Sequence, residues 1–81
     1  MISPKITSLS FNDDHTVLIN YEKESRLFDF KPYLDFGIYK ELREIKKFKN
    51  GRISFNTIQW SNEVDIDPEF LYSKSKPPPL A

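Results

Sequence analysis

Cysteine is absent from this chain, which excludes a disulfide framework, a thiolate nucleophile and any cysteine-ligated zinc site. That absence fits a reducing compartment, and we expect a cytoplasmic protein. Nowhere do about eighteen apolar residues run together, and the opening Met1-Ile2-Ser3-Pro4-Lys5-Ile6-Thr7 holds no apolar stretch of signal-peptide length. Neither a membrane span nor export by that route is expected. An excess of one charge is missing too. Twelve Lys and Arg balance twelve Asp and Glu, so the basic surplus with which most nucleic-acid domains neutralise phosphates is not there. A local basic patch remains compatible with that balance.

What the chain does have is aromatic side chains. Seven Phe, four Tyr and one Trp stand among 81 residues, and each large ring can bury about 150–250 Å². A chain this short forms one domain and buries only roughly 60% of its unfolded surface. The core should therefore be aromatic-rich, with little room for a deep pocket.

Period-two alternation marks the first half. Lys5 to Phe11 sets Thr7, Leu9 and Phe11 on one face, and Thr16 to Tyr21 does the same with Val17, Ile19 and Tyr21. Between them, Asn12-Asp13-Asp14-His15 is turn chemistry, since short Asn and Asp side chains bond nearby backbone and tolerate positive φ. Ser25 to Phe30 is a third strand, with Arg26, Phe28 and Phe30 sharing a face. Lys31-Pro32 ends the pairing, because proline offers no ladder donor. Asp35 can cap a helix over Phe36 to Lys47, where Ile38, Leu42 and Ile45 recur at helical spacing. Lysines and arginine gather near its end, and Asn50-Gly51 supplies a stop. Arg52 to Phe55 and Ile58 to Trp60 then form a hairpin around Asn56-Thr57. Asp67 caps a final turn to Tyr72, with Pro68 at the first helical position. Ser73 onward, ending in Pro77-Pro78-Pro79, describes an extended tail. The expected fold is α+β: a three-stranded antiparallel meander, a crossover helix, a second β-hairpin and a short C-terminal helical turn. Residues 1–73 form one domain, and residues 74–81 a flexible proline-rich tail.

Pro4, Asp29, Leu34, Leu42, Phe48, and above all Trp60, Asp65, Pro68, Glu69, Leu71 and Tyr72 form a pattern over residues 4–72 that resembles the small bacterial proteins of domain of unknown function 2442. The resemblance implies a small mixed α/β fold like that of an N-terminal domain often found ahead of a DNA-binding module. It implies a bacterial origin and brings no activity; some members are suggested to belong to paired toxin and antitoxin operons. Two glycines usual in the family, before the third strand and between the tryptophan and the aspartate, are replaced here by Lys23-Glu24-Ser25 and Asn62-Glu63. Those turns must be built differently.

Candidate chemistry is sparse. His15 is the single histidine, and so the one side chain with an ordinary pKa near neutrality. A catalytic base needs a nucleophile or water held beside it, whereas a turn histidine needs only solvent, and we take His15 as structural. Joining it to Ser10 and Asp13 as a triad has no pattern behind it. Asp65 and Asp67, with Asp29 and Glu63, could be an oxygen-rich cation site or a carboxylate pair, but the spacing lacks a calcium loop's glycine and distal glutamate. Capping and turn formation already account for them. Lys40, Arg43 and Lys47, with Lys46, Lys49 and Arg52, form the basic concentration, reinforced by Lys74 and Lys76; Glu41 and Glu44 interrupt it, as on any solvated helix face. Trp60 fits a core plug better than a ligand platform.

We therefore expect no catalytic, cofactor-binding or metal residues, and a structural signature of Asp29, Trp60, Asp65, Asp67, Pro68, Leu71 and Tyr72. Leu9, Val17, Ile19, Phe28, Leu42 and Ile45 should share the core with Trp60, Leu71 and Tyr72. The expected function is that of a non-enzymatic protein-interaction module, antitoxin-like in pairing with the product of a neighbouring gene or weakly with itself. The alternative is a nucleic-acid-associated regulator using Lys40, Arg43 and Lys47, although no appended helix-turn-helix is expected after the proline run. A small hydrolase or metal enzyme ranks third.

Overall fold

A computed structural model of the protein describes residues 4–60 and 64–78. The expected turn at Asn62-Glu63 and the last proline of the tail, Pro79, lie outside the described residues. Strands β1 (Ile6–Phe11), β2 (Thr16–Tyr21) and β3 (Ser25–Asp29) form an antiparallel sheet in the order β1-β2-β3. A separate hairpin pairs β4 (Arg52–Ser54) with β5 (Thr57–Gln59). Between the two lie a 3₁₀ turn (Lys31–Tyr33), a 3₁₀ helix (Gly37–Arg43) and the short helix α1 (Ile45–Phe48). Helix α2 (Pro68–Lys74) closes the chain, touching both β3 and β5. The arrangement is α+β: a meander, helical pieces, a second hairpin and a C-terminal helix.

The meander buries one face, carrying Val17, Ile19, Tyr21, Phe28 and Phe30. Thr7 was expected on that face and is exposed. The β1–β2 register shifts between Ile6 and Ser8, and this bulge changes the parity of the strand. Ile6 instead is buried, in line with half-buried Leu9 and Phe11. On the opposite face Asn20 donates to Ser8 Oγ (2.9 Å) and accepts from Ser25 Oγ (2.6 Å), the polar layer a solvated sheet face requires.

The amphipathic helix expected over Phe36 to Lys47 is broken into two pieces. Glu44 takes extended backbone (φ −75°, ψ 117°) between the 3₁₀ helix and α1. Leu42 and Phe48 are both fully buried. Six residues apart, they would point about 120° away from each other round an unbroken α-helix. A break between them lets both reach one core, and tertiary packing overrides the helical pattern. Three-residue periodicity in the 3₁₀ segment pairs Tyr39 with Leu42 on the inner side and leaves Ile38 61% exposed. Asp35 does not cap this segment. Phe36 occupies the cap position without a side-chain bond, and the Asp35 carboxylate pairs with Arg43.

Gly51 does not end a helix through left-handed backbone, since no described glycine has positive φ. It is small because the core is close. A Cβ placed there would come within 3 Å of the Trp60 indole nitrogen, the Phe11 ring and Ile58. The hairpin that follows turns at Phe55-Asn56 rather than Asn56-Thr57. Both have positive φ (51° and 58°), the mark of a type I′ turn. The Asn56 side chain fastens this turn to β1, accepting from Ile6 N and donating to Pro4 O, each at 2.8 Å.

Aromatic rings dominate the centre. Phe30 touches Phe28, Tyr33, Tyr39, Phe48 and Trp60 at centroid distances of 5.1–6.1 Å. Ile58, Val64, Ile66 and Leu71 complete the core. Ile45 and Tyr72, expected inside, are half-buried and pack against its edge.

Candidate interaction surface

The segment from Trp60 to Tyr72 closes the core. Trp60 is 1% exposed; its indole N–H donates to Phe48 O (2.7 Å) and its backbone N–H to Val64 O (2.7 Å). The ring lies inside the protein, with no free face for a ligand. Asp65 bridges Gln59 in antiparallel fashion, and its carbonyl accepts from the Tyr39 hydroxyl (2.9 Å). Burial raises the Tyr39 pKa. The Asp67 carboxylate accepts from Phe70 N at 2.9 Å, with Pro68 at the first helical position, which satisfies an otherwise orphaned donor. Leu71 is fully buried.

The expected flexible tail instead begins as part of the fold. Helix α2 runs on to Lys74, and Ser75 is only 3% exposed. Leu27 and Lys76 exchange backbone hydrogen bonds at 2.7 and 2.9 Å, covering part of the outer edge of β3, which an open sheet needs protected. Arg26 holds this segment down. Its Nε donates to Ser75 Oγ (2.7 Å), its Nη2 to Ser75 O (2.6 Å) and its Nη1 to Glu24 (3.1 Å), while the guanidinium sits 4.6 Å above the Tyr72 ring. The Tyr72 hydroxyl donates to Glu24 at 2.8 Å. That bond, and then Arg26, lowers the Glu24 pKa, and the same bond raises that of Tyr72. The signal in the sequence was an arginine in register with Phe28 and Phe30; on a buried face it needs partners.

The basic patch is compensated in part. Arg43 donates to Leu34 O and pairs with Asp35, and Lys47 lies 3.9 Å from Glu44. Lys40 makes no ion pair among the described residues. Lys49 pairs with Asp13, and Lys74 and Lys76 sit apart at a hollow of about 440 Å³ beside Asp29. Asp29 itself accepts from Lys31 N (3.0 Å) and faces Lys31 Nζ (3.1 Å).

His15 occupies left-handed backbone (φ 62°). Its Nε2 lies 2.9 Å from Leu42 O and 3.1 Å from Arg43 O, so the tautomer with hydrogen on Nε2 ties the β1–β2 turn to the end of the 3₁₀ helix. The ring rests against Phe48. Behind it Thr16 donates to the Asp14 carboxylate from both N and Oγ1, which lowers the Asp14 pKa. Ser10 is exposed and Asp13 is engaged with Lys49, so the two do not assemble with His15. Among the described residues no three His, Asp or Glu side chains converge; Glu63 lies outside them.

Sequence reasoning missed the apolar side chains left outside. Phe55 is 93% exposed and Ile53 40%, both on the second hairpin; Phe36 and Ile38 are 56% and 61% exposed at the start of the 3₁₀ helix. Between that helix and α2 lies an open groove of about 460 Å³, walled by Tyr33, Phe36, Tyr39, Ile66 and Phe70, with Asp67 at its rim. Thr57, beside the hairpin turn, donates to Ile66 O, so hairpin and groove adjoin. A phenylalanine in a type I′ turn, where Asn or Gly is usual, was the available signal.

Meander, broken crossover, second hairpin and a latched C-terminal helix define a small α+β domain with exposed aromatic side chains at one hairpin tip and one groove. The chain belongs to the family described as protein of unknown function (DUF2442), whose sequence model matches residues 6–77. That span takes in the latched Ser75 and Lys76. No curated protein and no solved structure matches the chain. Among the described residues no helix is long and apolar enough to cross a membrane.

Proposed function

We propose that the domain is a non-enzymatic protein-interaction module that binds a protein partner through the β4–β5 tip and the adjoining aromatic groove. The observation that carries this is Phe55. Its left-handed backbone costs on the order of 1–2 kcal/mol for a side chain bearing Cβ, yet a ring exposed to 93% contributes almost nothing to the core. A strained, solvent-facing aromatic on a turn anchored by Asn56 has the makings of a binding anchor, because rigid aromatics carry much of the energy of protein interfaces. Ion pairing at Arg43 and Lys47 weakens the nucleic-acid alternative, since two of the three cations it would use to displace counterions are already compensated. The partner proposed first is the product of a neighbouring gene, in the manner of an antitoxin.

Co-expression with the adjacent gene's product, followed by size-exclusion chromatography, tests this. Co-elution that Phe55→Asn abolishes, while Lys40→Glu leaves it intact, is the expected result. Absence of any complex, or tight sequence-selective DNA binding lost with Lys40→Glu, overturns it.

A further inference from the structure

We infer that the aromatic groove also receives a second copy of this chain, each copy placing its Phe55 in the other's groove about a two-fold axis. This rests on the interaction reading above and names one occupant of that surface. Several observations converge on it. The molecule carries both an apolar projection, Phe55 with Ile53, and an apolar recess of about 460 Å³ walled by Tyr33, Phe36, Tyr39, Ile66 and Phe70. A recess of that size lies in the range that encloses a compact apolar group. The hairpin that carries the projection is joined to the groove wall, since Thr57, the residue after the turn, donates to Ile66 O. A two-fold axis close to both can therefore satisfy the two contacts at once, as an isologous interface requires.

Charge is compatible with the same pairing. The hairpin carries exposed Arg52, and the groove is lined on its α2 side by exposed Asp67, the cap of that helix. The area fits as well. Covering the exposed parts of Phe36, Ile38, Ile53 and Phe55 removes roughly 500 Å² per copy, or about 1,000 Å² per pair, at the lower limit for a specific interface. The pair should thus be weak and dependent on concentration. Rigidity helps it form, because Asn56 ties the turn to Pro4 and Ile6 and little loop ordering is left to oppose association.

Sedimentation equilibrium from micromolar to millimolar concentration tests the inference with two variants and their mixture. Phe55→Asn removes the projection while suiting the positive φ of the turn, and Phe36→Glu spoils the groove at a half-exposed position; near-UV circular dichroism establishes that both are folded. The wild type should show a monomer–dimer equilibrium that each variant weakens about tenfold or more. An equimolar mixture of the two variants should associate more tightly than either alone, because one intact Phe55 then meets one intact groove. Three results overturn the inference: a monomer throughout, an association insensitive to both changes, or a mixture no tighter than its components, as direct Phe55 to Phe55 stacking would give. A monomeric wild type that still co-elutes with the adjacent gene's product in a Phe55-dependent way sinks self-docking and leaves the interaction reading standing. A monomer that binds no protein sinks both.

Discussion

Replacing Gly51 by alanine should destabilise the protein although it adds only one methyl group. Gly51 has ordinary backbone, so a side chain is not forbidden by conformation, and Gly→Ala in such a place gains about 0.4–1 kcal/mol by stiffening the unfolded chain. Space decides against it. The new Cβ would lie 2.7 Å from the Trp60 indole nitrogen, 2.8 Å from the Phe11 ring and 2.9 Å from Ile58 Cγ2. Trp60 and Ile58 are fully buried, and the indole is held by its hydrogen bond to Phe48 O. Half-buried Phe11 can shift, but neither Trp60 nor Ile58 can swing away without opening the core, and forced overpacking costs about 1–3 kcal/mol. The net expectation is a loss of about 1–2 kcal/mol, or a Tm lower by about 4–16 °C in a domain of this size. Urea unfolding followed by Trp60 fluorescence should show a lower midpoint at unchanged slope. In a Trp60→Phe background the loss should be smaller, because the nearest clash is gone; a double-mutant cycle read by far-UV circular dichroism isolates that coupling. A Gly51→Ala protein as stable as the parent, or more so, would refute the close-approach argument and return Gly51 to the role of a mere stop after α1.

Ending the chain after Lys74 should cost about 2–4 kcal/mol, since it removes the Arg26 bonds to Ser75 and the Leu27–Lys76 pair; a thermal melt within a degree or two of the parent's would mean that the segment is not latched. Tyr21 has a buried hydroxyl without a protein partner among the described residues, and burial pushes its pKa up to about 12. The folded state therefore keeps a proton that the unfolded state releases above pH 10, so this contribution is intact below that pH and lost as the pH climbs toward about 12. Tyr21→Phe should raise stability by about 1 kcal/mol at neutral pH and flatten the alkaline decline, measured by urea midpoints across pH; a clear loss at neutral pH contradicts this. Trp60→Ala should lose about 3–5 kcal/mol, and Asp67→Ala about 0.5–2 kcal/mol with Asp67→Asn milder, in urea unfolding followed by far-UV circular dichroism, which does not depend on the single tryptophan. A fully stable Trp60→Ala protein would count against its role as the core plug.

Alternation over β1, β2 and β3, the acidic turn between the first two strands and the Asp67-Pro68 start of α2 were legible in the sequence, because each rests on local rules that no distant residue has to ratify. At these places the alternation, the turn residues and the helix cap are decided within a few positions. Family membership was legible for the same reason, through Trp60, Asp65, Pro68, Leu71 and Tyr72. What needed tertiary structure were the places where one local preference competed with a shared core. Leu42 and Phe48 could both be buried only by breaking an otherwise good helix at Glu44, and Thr7 lost its inward position to a bulge that seats Ile6. Gly51 turned out to answer to the Trp60 ring rather than to its own φ, a constraint invisible without knowing what packs above it. Ser75 and Lys76 looked like tail because their partners, Arg26 and Leu27, lie far back in the sequence. Phe55 was hidden by the same logic in reverse. The sequence by itself marks an aromatic residue as core material, and only the folded hairpin, turning where Asn56 is tied to β1, shows that this ring has nowhere inside to go.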